Sequence, residues 1–303
     1  MSRSSRRSPL RQSLSFHRLR DASVARRIVA STGLAPPALV YEFGAGDGVL
    51  TAELARRAGH VVAIELDRTL HGRLAKRMAP LPTVRTVHAD FREMPLPIEG
   101  RYSIVANLPF SLTAETLRRI TTAPNPPEES FLIVQREAAA TWTGSSRSTV
   151  AATLAGLRFS FEVPLALRRR DFSPWPRVES VLLAVRRRPV PLLAPAESRQ
   201  FASFVRHGFG GGRPTLERNL AGRTDARTLR SALNQAGIEP GAAPSSLGFG
   251  QWLLLWSELC HQPGSAGTHP GSMHSPSRRK ALSAGGANDQ PPLRSKRERG
   301  RRG

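Results

Sequence analysis

Three alternating glycines constrain the fold of this chain more than any other feature of its sequence. An apolar run over residues 38–43 meets Gly44, Gly46 and Gly48, and helix-forming residues follow over Val49–Ala58. This order predicts a strand, a tight turn and a helix. Because glycine has no Cβ and readily adopts positive φ, such a turn lets a ligand lie directly against the backbone.

Acidic residues come at the ends of the next two apolar runs. Glu65 lies near the end of the run over residues 61–66, and Asp90 follows the run over residues 84–89. A basic amphipathic helix is predicted between them, over Arg68–Met78. Alternating strands and helices predict an open parallel sheet, whose ligands bind at the carboxyl ends of the strands. We therefore expect Glu65 to accept hydrogen bonds from ribose hydroxyls and Asp90 to accept one from the exocyclic amine of an adenine.

The glycine spacing distinguishes between two kinds of nucleotide site. The usual dinucleotide fingerprint has its third glycine one residue later, where this chain has Val49. An NAD-dependent enzyme is therefore disfavoured, and the spacing, with its acidic neighbours, favours S-adenosylmethionine. An ordinary glycine turn that binds no ligand is the alternative.

The fourth apolar run, residues 102–108, leads into Asn107, Leu108, Pro109 and Phe110. An exocyclic amine conjugated with an aromatic ring is a poor nucleophile, so a methyltransferase must hold it in line with the methyl donor. The side-chain oxygen of Asn107 and the carbonyl oxygen of Leu108 can accept its two hydrogens, and Phe110 offers a face for the base. No dedicated general base is required, because a sulfonium is already an activated donor. An Asn-Pro turn with a purely structural role is the alternative.

The charge of the chain limits its partners. Its 303 residues include 45 Lys and Arg against 23 Asp and Glu, for a net charge of +22. A field of this sign attracts polyanions, and nucleic acid is the leading candidate. A solvated arginine-rich surface without a polyanionic partner is the alternative.

Several kinds of protein are disfavoured by composition. No apolar run has the roughly 18 residues that a membrane span needs, and the N-terminus lacks the apolar segment of a secretory signal. The single cysteine, Cys260, excludes an internal disulfide and a cysteine-based metal cluster. We expect a monomeric, cytoplasmic protein without a metal ion.

Changes in composition divide the chain into five segments. We predict a disordered basic N-terminus over residues 1–13, a catalytic domain over 14–188, a linker over 189–196, a helical RNA-binding domain over 197–260 and a disordered basic tail over 261–303.

Six blocks, in order along the chain, resemble the ribosomal RNA adenine N6-methyltransferases. The blocks are EFGAGDG at 42–48, Glu65, Asp90, NLPF at 107–110, FLIVQRE at 131–137 and FSPWPRV at 172–178. This family comprises the small-subunit rRNA dimethyladenosine transferases and the erythromycin-resistance (Erm) enzymes. The chain is most similar to the Erm enzymes of actinomycetes.

The resemblance implies a fold and a set of contacts. The implied fold is α/β, with the seven-stranded, Rossmann-like sheet of class I S-adenosylmethionine-dependent methyltransferases and a small all-helical C-terminal domain. The implied cofactor contacts are His17, Leu19, Gly44, Gly46, Glu65, Leu66, Asp90, Phe91 and Asn107. The implied catalytic or target-base contacts are Asn107, Leu108, Phe110 and Phe172. Phe172 would close over a flipped adenine, with a phenylalanine of the core as the alternative.

One block departs from the family pattern. Where the family usually has Gln-Asn-Phe-Leu before the first helix, this chain has Phe-His-Arg-Leu at residues 16–19. The departure puts in doubt the amide contacts to the methionine end of the cofactor. His17 would supply a donor instead, or would simply be solvated.

The function implied by the resemblance is N6-methylation of an adenine in large-subunit (23S) rRNA, which confers resistance to macrolide, lincosamide and streptogramin B antibiotics. Dimethylation of small-subunit rRNA during ribosome biogenesis is the nearest alternative. A DNA adenine methyltransferase would share the NLPF block but not the others. A non-catalytic RNA-binding factor would have no use for Gly44, Glu65, Asp90 and Asn107 together.

Overall fold

A seven-stranded sheet lies at the centre of the structure, and a small two-stranded sheet lies beside it. The computed structural model describes residues 17–260, so the predicted basic segments 1–13 and 261–303 lie outside the described residues. The strands are, in chain order, β1 (Arg18–Leu19), β2 (Leu39–Phe43), β3 (His60–Glu65), β4 (Val84–His88), β5 (Ser103–Ala106), β6 (Glu129–Gln135), β7 (Phe159–Leu167), β8 (Phe172–Ser173) and β9 (Ser180–Arg187).

The large sheet has the strand order β4-β3-β2-β5-β6-β9-β7. Neighbouring strands are parallel from β4 to β6, whereas β9 is antiparallel to both β6 and β7. The predicted seven-stranded sheet is confirmed, and its parallel part brings the carboxyl ends of β2, β3, β4 and β5 to one edge. Strand β9 runs opposite to its neighbours because the chain returns from β7 into β9 as an antiparallel pair. Such a pair needs no crossover helix between its strands.

Ten α-helices are found among the described residues. They are α1 (Ala22–Thr32), α2 (Val49–Leu54), α3 (Arg68–Met78), α4 (Thr113–Thr122), α5 (Arg136–Thr143), α6 (Val150–Ala155), α7 (Pro195–Gly210), α8 (Leu216–Leu220), α9 (Ala226–Gln235) and α10 (Phe249–Cys260). Side chains of Asp21, Asp67 and Asp225 accept hydrogen bonds from the first backbone N–H groups of α1, α3 and α9.

The strands are apolar on both sides because helices cover both faces of the sheet. Successive residues of β5 illustrate this: Val105 belongs to the core beneath α1, α2 and α3, whereas Ile104 and Ala106 belong to the core beneath α4 and α5. The strand ends are therefore held between two packed layers, which makes the edge they form a rigid platform.

The C-terminal helices form a core of their own, with Trp252, Phe201 and Leu255 fully buried at its centre. Its members include Leu157, and Val150 and Leu154 of α6 pack against it. The helical C-terminal region predicted from the sequence is confirmed, and α6 packs with it although α6 precedes β7 in the chain.

Over residues 17–260, no helix combines the length and the apolar character that crossing a bilayer requires.

Candidate active site

The glycine turn connects β2 to α2, as predicted. Gly44, Gly46 and Gly48 adopt φ values of 72°, 63° and 82°, in the left-handed region that favours glycine. The backbone N–H groups of Gly44 and Ala45 donate hydrogen bonds of 2.9 and 3.0 Å to the carbonyl oxygen of Ile64. These bonds tie the turn to the neighbouring strand β3.

Glu65, the last residue of β3, is buried beside this turn. One carboxylate oxygen accepts a 2.8 Å hydrogen bond from the backbone N–H of Gly46, and the other accepts one of 2.8 Å from the N–H of Asp67. Glu65 therefore fixes the turn in place. Each carboxylate oxygen has a further lone pair, so this role is compatible with the predicted ribose contact, which stays a prediction.

The space next to the turn is open and partly apolar. A Cβ built on Gly46 would have no heavy atom of the protein within 4 Å. Leu66 has 44 % of its surface exposed, and its carbonyl oxygen accepts a 3.0 Å hydrogen bond from Nε2 of His88. An exposed leucine beside bare backbone gives a flat ligand an apolar surface to lie on, which fits the adenosine part of S-adenosylmethionine.

Asp90 follows β4 at the same edge, because the N–H of Ala89 donates a 3.2 Å hydrogen bond to the carbonyl oxygen of Glu65. Its carboxylate is held by Arg92, whose Nη2 lies 2.5 Å from Oδ2 and whose backbone N–H lies 2.9 Å from Oδ1. The hydrogen bonds from the Arg92 side chain keep the pKa of Asp90 below its ordinary value. Asp90 is thus a charged acceptor that an adenine amine would share with Arg92.

Phe91 differs from its neighbours because its side chain is buried. Its ring stacks on Phe43, with the centroids 4.9 Å apart and the planes at 22°. The side chain belongs to the core between the sheet and α4. Any cofactor contact of Phe91 would therefore come from its backbone.

The NLPF turn touches the glycine turn. Since β2 and β5 are parallel neighbours that pair Phe43 with Ala106, the residues that follow each strand meet. A Cβ on Gly44 would lie 2.9 Å from Cδ2 of Leu108 and 3.7 Å from the carbonyl oxygen of Asn107. The structure thus brings the predicted cofactor turn and the predicted base-binding turn into contact.

The predicted acceptor side chain, Asn107, has a defined orientation. Its Nδ2 donates a 3.1 Å hydrogen bond to the backbone carbonyl oxygen of His17. A carbonyl oxygen only accepts, so the NH2 end of the amide must face it. Oδ1, the oxygen predicted to accept from the target amine, is therefore on the other side of the amide.

His17 lies at the base-binding side of the site. Its ring is 5.7 Å from the ring of Phe110, with the planes at 35°, and its Nδ1 is 2.9 Å from the carbonyl oxygen of Pro174. The ring is therefore not simply solvated: it connects the NLPF turn to the FSPWP loop. The proposed hydrogen bond from the His17 ring to the cofactor stays a prediction, because Nδ1 of that ring contacts the protein itself.

Arg18 and Leu19 form β1, which pairs with Ser173 and Phe172 of β8. The Arg18 guanidinium is 3.6 Å from the carboxylate of Asp47 in the glycine turn. The Leu19 side chain is buried in the core that α1, α2 and α3 cover. Only the backbone of Leu19 could therefore contact a cofactor. The departure from the family pattern in this segment thus adds an ion pair to the cofactor turn.

Phe172 lies deeper than the predicted contact with a flipped adenine requires. Its ring is fully buried in the core that α1, α2 and α3 cover. In this structure the ring packs as a core residue and offers no free face. A contact with the base stays a prediction that requires the ring to become uncovered.

Asp171, which was not among the predicted site residues, holds this region together. Its buried carboxylate accepts hydrogen bonds from the N–H of Arg168 at 2.8 Å and from Nη1 of Arg27 at 3.3 Å. Its carbonyl oxygen accepts one of 2.8 Å from the N–H of Arg20. A lone acidic residue directly after three arginines is the signal that could have identified it.

Comparison with known proteins identifies relatives of the whole described region. A model of the family described as "Ribosomal RNA adenine dimethylase" matches residues 7–259. An rRNA adenine N-6-methyltransferase of Aeromicrobium erythreum is 35% identical over 255 residues, which cover 84% of this chain and 74% of that protein. The ribosomal RNA small subunit methyltransferase A of Synechococcus sp. (strain JA-3-3Ab) is 35% identical over 257 residues, which cover 81% of this chain and 91% of that protein.

Among solved structures, the crystal structure of the 23S rRNA methyltransferase ErmE is similar, with a TM-score of 0.75 and 31% sequence identity. The similarity covers 80% of this chain and 99% of that chain.

Proposed function

We propose, from the premise that this chain belongs to the ribosomal RNA adenine dimethylase family, that it methylates N6 of an adenine in large-subunit rRNA. The methyl donor would be S-adenosylmethionine. The modified base would then deny macrolide, lincosamide and streptogramin B antibiotics their binding site. The protein would act as a monomer in the cytoplasm.

The observation that carries this proposal is the contact between the two turns. Gly44 lies against Leu108 and Asn107, so a donor on the glycine turn and an amine on the NLPF turn would be neighbours. Holding two reactants in one geometry can remove roughly 7–11 kcal/mol of a reaction barrier. A module that only binds RNA has no need of this proximity.

The residues at the sheet edge fit S-adenosylmethionine. Gly46 leaves the backbone bare, and Leu66 presents an apolar surface beside it. Glu65 presents a buried carboxylate for the ribose, and Asp90 presents an acceptor for the adenine amine. When bound, the cofactor supplies an activated methyl group. The chain supplies positioning, since the carboxylates of Glu65 and Asp90 are already fixed by hydrogen bonds.

The target base would be held by Asn107, Leu108 and Phe110. Oδ1 of Asn107 and the carbonyl oxygen of Leu108 would accept the two amine hydrogens, which directs the lone pair of the nitrogen toward the methyl group. Phe110 is half-buried and contacts His17 on one side, so its ring is steadied for stacking on a base.

Recognition of RNA would extend beyond this site. Exposed arginines of the C-terminal helices, the proposed RNA-binding domain of residues 197–260, would contact phosphates; they include Arg206, Arg213, Arg218 and Arg223. The net charge of +22 supports an extended polyanion as partner.

Methyl transfer from labelled cofactor onto naked 23S and 16S rRNA tests the proposal, with the modified adenine mapped in each product. We expect label in 23S rRNA alone, and labelling about a hundredfold slower with Asn107→Ala. The equal identity to a small-subunit methyltransferase makes that enzyme the second candidate, and label confined to 16S rRNA would establish it. The absence of label in both RNAs, with RNA binding retained, would leave a non-catalytic RNA-binding factor.

A further inference from the structure

Trp175 is the aromatic residue among the exposed large hydrophobic side chains of residues 17–260. It exposes 69 % of its surface, whereas Trp252 and Trp256 are buried in the C-terminal core. Trp142 packs against Phe161 with ring centroids 5.2 Å apart. The indole of Trp175 is thus left free to contact a partner, a use for which tryptophan is enriched at interfaces.

The loop that carries Trp175 is anchored on both sides of the residue. On one side, the carbonyl oxygen of Pro174 is bound to Nδ1 of His17 over 2.9 Å. On the other side, the side chain of Pro176 is buried. Proline fixes φ at both positions, so the indole is held outward by backbone that has little freedom. An aromatic surface that is already rigid loses little conformational entropy on binding.

This loop reaches the proposed base site in two contacts. Pro174 binds His17, and the ring of His17 lies against Phe110 of the NLPF turn. Trp175, the next residue after Pro174, therefore lies at the rim of the site rather than within it. A ligand group that meets the indole would be close to the target base but distinct from it.

The charges on either side of this loop favour a nucleic acid. Arg169 and Arg170, which precede β8, and Arg177 are exposed, and arginines attract phosphates without regard to sequence. Exposed aromatic side chains among arginines are typical of sites that stack unpaired bases. Unpaired nucleotides are also the usual targets of sequence-specific RNA recognition.

We infer that Trp175 stacks on an unpaired nucleotide that flanks the target adenine, and that it positions the RNA strand at the entrance of the site. The inference rests on the proposed function in two respects: the ligand is rRNA, and its target adenine binds at the NLPF turn. Trp175 is a positioning residue for the RNA strand and does not touch the reacting atoms.

Substitutions at this position separate stacking from simple apolar contact. We expect Trp175→Ala and Trp175→Leu to raise the Kd for rRNA and the KM for rRNA by about 5- to 150-fold, the range found for the loss of one stacked base. Trp175→Phe keeps a ring and should recover most of the affinity. The kcat at saturating RNA should change little in all three. Val190→Ala is the matched control, because Val190 is 74 % exposed and lies in the segment that follows β9.

Abasic RNA identifies the partner nucleotide. We would remove, one at a time, the bases on either side of the mapped adenine and measure Kd for wild type and for Trp175→Ala. At the contacted position, removal of the base should weaken binding to wild type and have no effect on the variant. Independent, additive losses at every position, or equal affinity of Trp175→Leu and wild type, would overturn the inference.

Failure of the inference differs from failure of the proposed function. If wild type binds rRNA without methylating it, the proposed function is contradicted. The affinities of the Trp175 variants would still decide the role of the indole. The bases would then be removed one at a time across the shortest RNA fragment that wild type binds. Wild type that methylates 23S rRNA, together with Trp175 variants that bind it normally, contradicts the inference alone.

Discussion

The amide nitrogen of Asn107 donates to the backbone carbonyl oxygen of His17 over 3.1 Å, which joins two segments that are 90 residues apart. The contact uses the main chain of His17 rather than its ring, so it does not depend on the side chain at that position. It gives the amide of Asn107 one orientation before any base is bound. Preorganised polar groups of this kind avoid reorganisation during the reaction.

Asn107→Ala should lower kcat about a hundredfold, the loss typical of a misplaced reacting group, and should leave RNA affinity nearly unchanged. Asn107→Asp keeps an acceptor but cannot donate to His17, so it should also be impaired. His17→Ala retains the carbonyl partner and should be milder. Single-turnover kinetics measure the rate of methyl transfer, and a separate binding assay measures the affinity for RNA. A loss of RNA affinity with normal turnover of the bound complex would make Asn107 a structural residue.

Glu65→Ala should weaken S-adenosylmethionine binding, since each hydrogen bond to a charged group is worth roughly 1.5–3 kcal/mol. It should also lower the Tm, because the N–H groups of Gly46 and Asp67 lose their acceptor. Isothermal titration calorimetry and thermal unfolding measure the two effects separately. Glu99→Ala, a change at an exposed position, is the control. Unchanged cofactor affinity would show that Glu65 only supports the turn.

Phe110→Ala and Phe172→Ala should differ in what they damage. Phe172 is fully buried, so its truncation should cost about 3–5 kcal/mol of stability. Phe110 is half-buried, so its truncation should mainly impair the reaction, by the roughly 1–3 kcal/mol of one stacked base. Chemical denaturation and methyl transfer should be compared for both variants. Equal activity of Phe110→Tyr and Phe110→Ala would argue against stacking at that position.

Glu42 should make folding stability depend on pH. Burial raises the pKa of Glu42 from 4.5 to about 8, although a 2.5 Å hydrogen bond from the Thr51 hydroxyl opposes the shift. The folded state therefore retains a proton that the unfolded state has released, and the free energy of unfolding falls as pH rises from 4.5 to about 8.

The Glu42→Gln variant tests this dependence, because a glutamine stays neutral at all pH values. It should be more stable than wild type at pH near 8 and should show a flatter pH profile in urea denaturation. Glu99→Gln, a change at an exposed carboxylate, should leave the profile of wild type unaltered. A Glu42→Gln profile as steep as that of wild type would contradict the assignment.

Local chemistry made much of the sheet edge predictable. The helix predicted over Arg68–Met78 has those bounds in the structure, since Asp67 caps its first turn. The helix predicted to extend to Ala58 ends at Leu54, because the chain must turn back into β3 at His60. Strand β7, which no pattern predicted, contains a proline at position 164 and lies at the edge of the sheet, where a missing N–H is tolerated.

The contacts that were not predictable are those between distant segments. Nothing in the order of residues shows that Asp171 binds Arg20 and Arg27. Nor does it show that His17 meets Phe110 and Pro174. The burial of Phe172 has the same origin, because the core that encloses it includes residues of α1 and α2, more than 100 positions earlier in the chain. Sequence patterns identify which residues lie at the carboxyl-end edge of the sheet. Packing between distant segments decides which of their side chains remain accessible to a ligand.

The participation of α6 in the C-terminal core has a consequence for engineering. The chain contributes Val150, Leu154 and Leu157 to that core, returns to the sheet for β7 and β9, and only then builds α7 to α10. Truncation after Arg188 would expose these apolar side chains by removing the helices they pack against. A C-terminal region taken from a relative would need side chains that pack against Val150, Leu154 and Leu157. Chimeras of this protein should therefore exchange residues 150–157 together with the helices that follow β9.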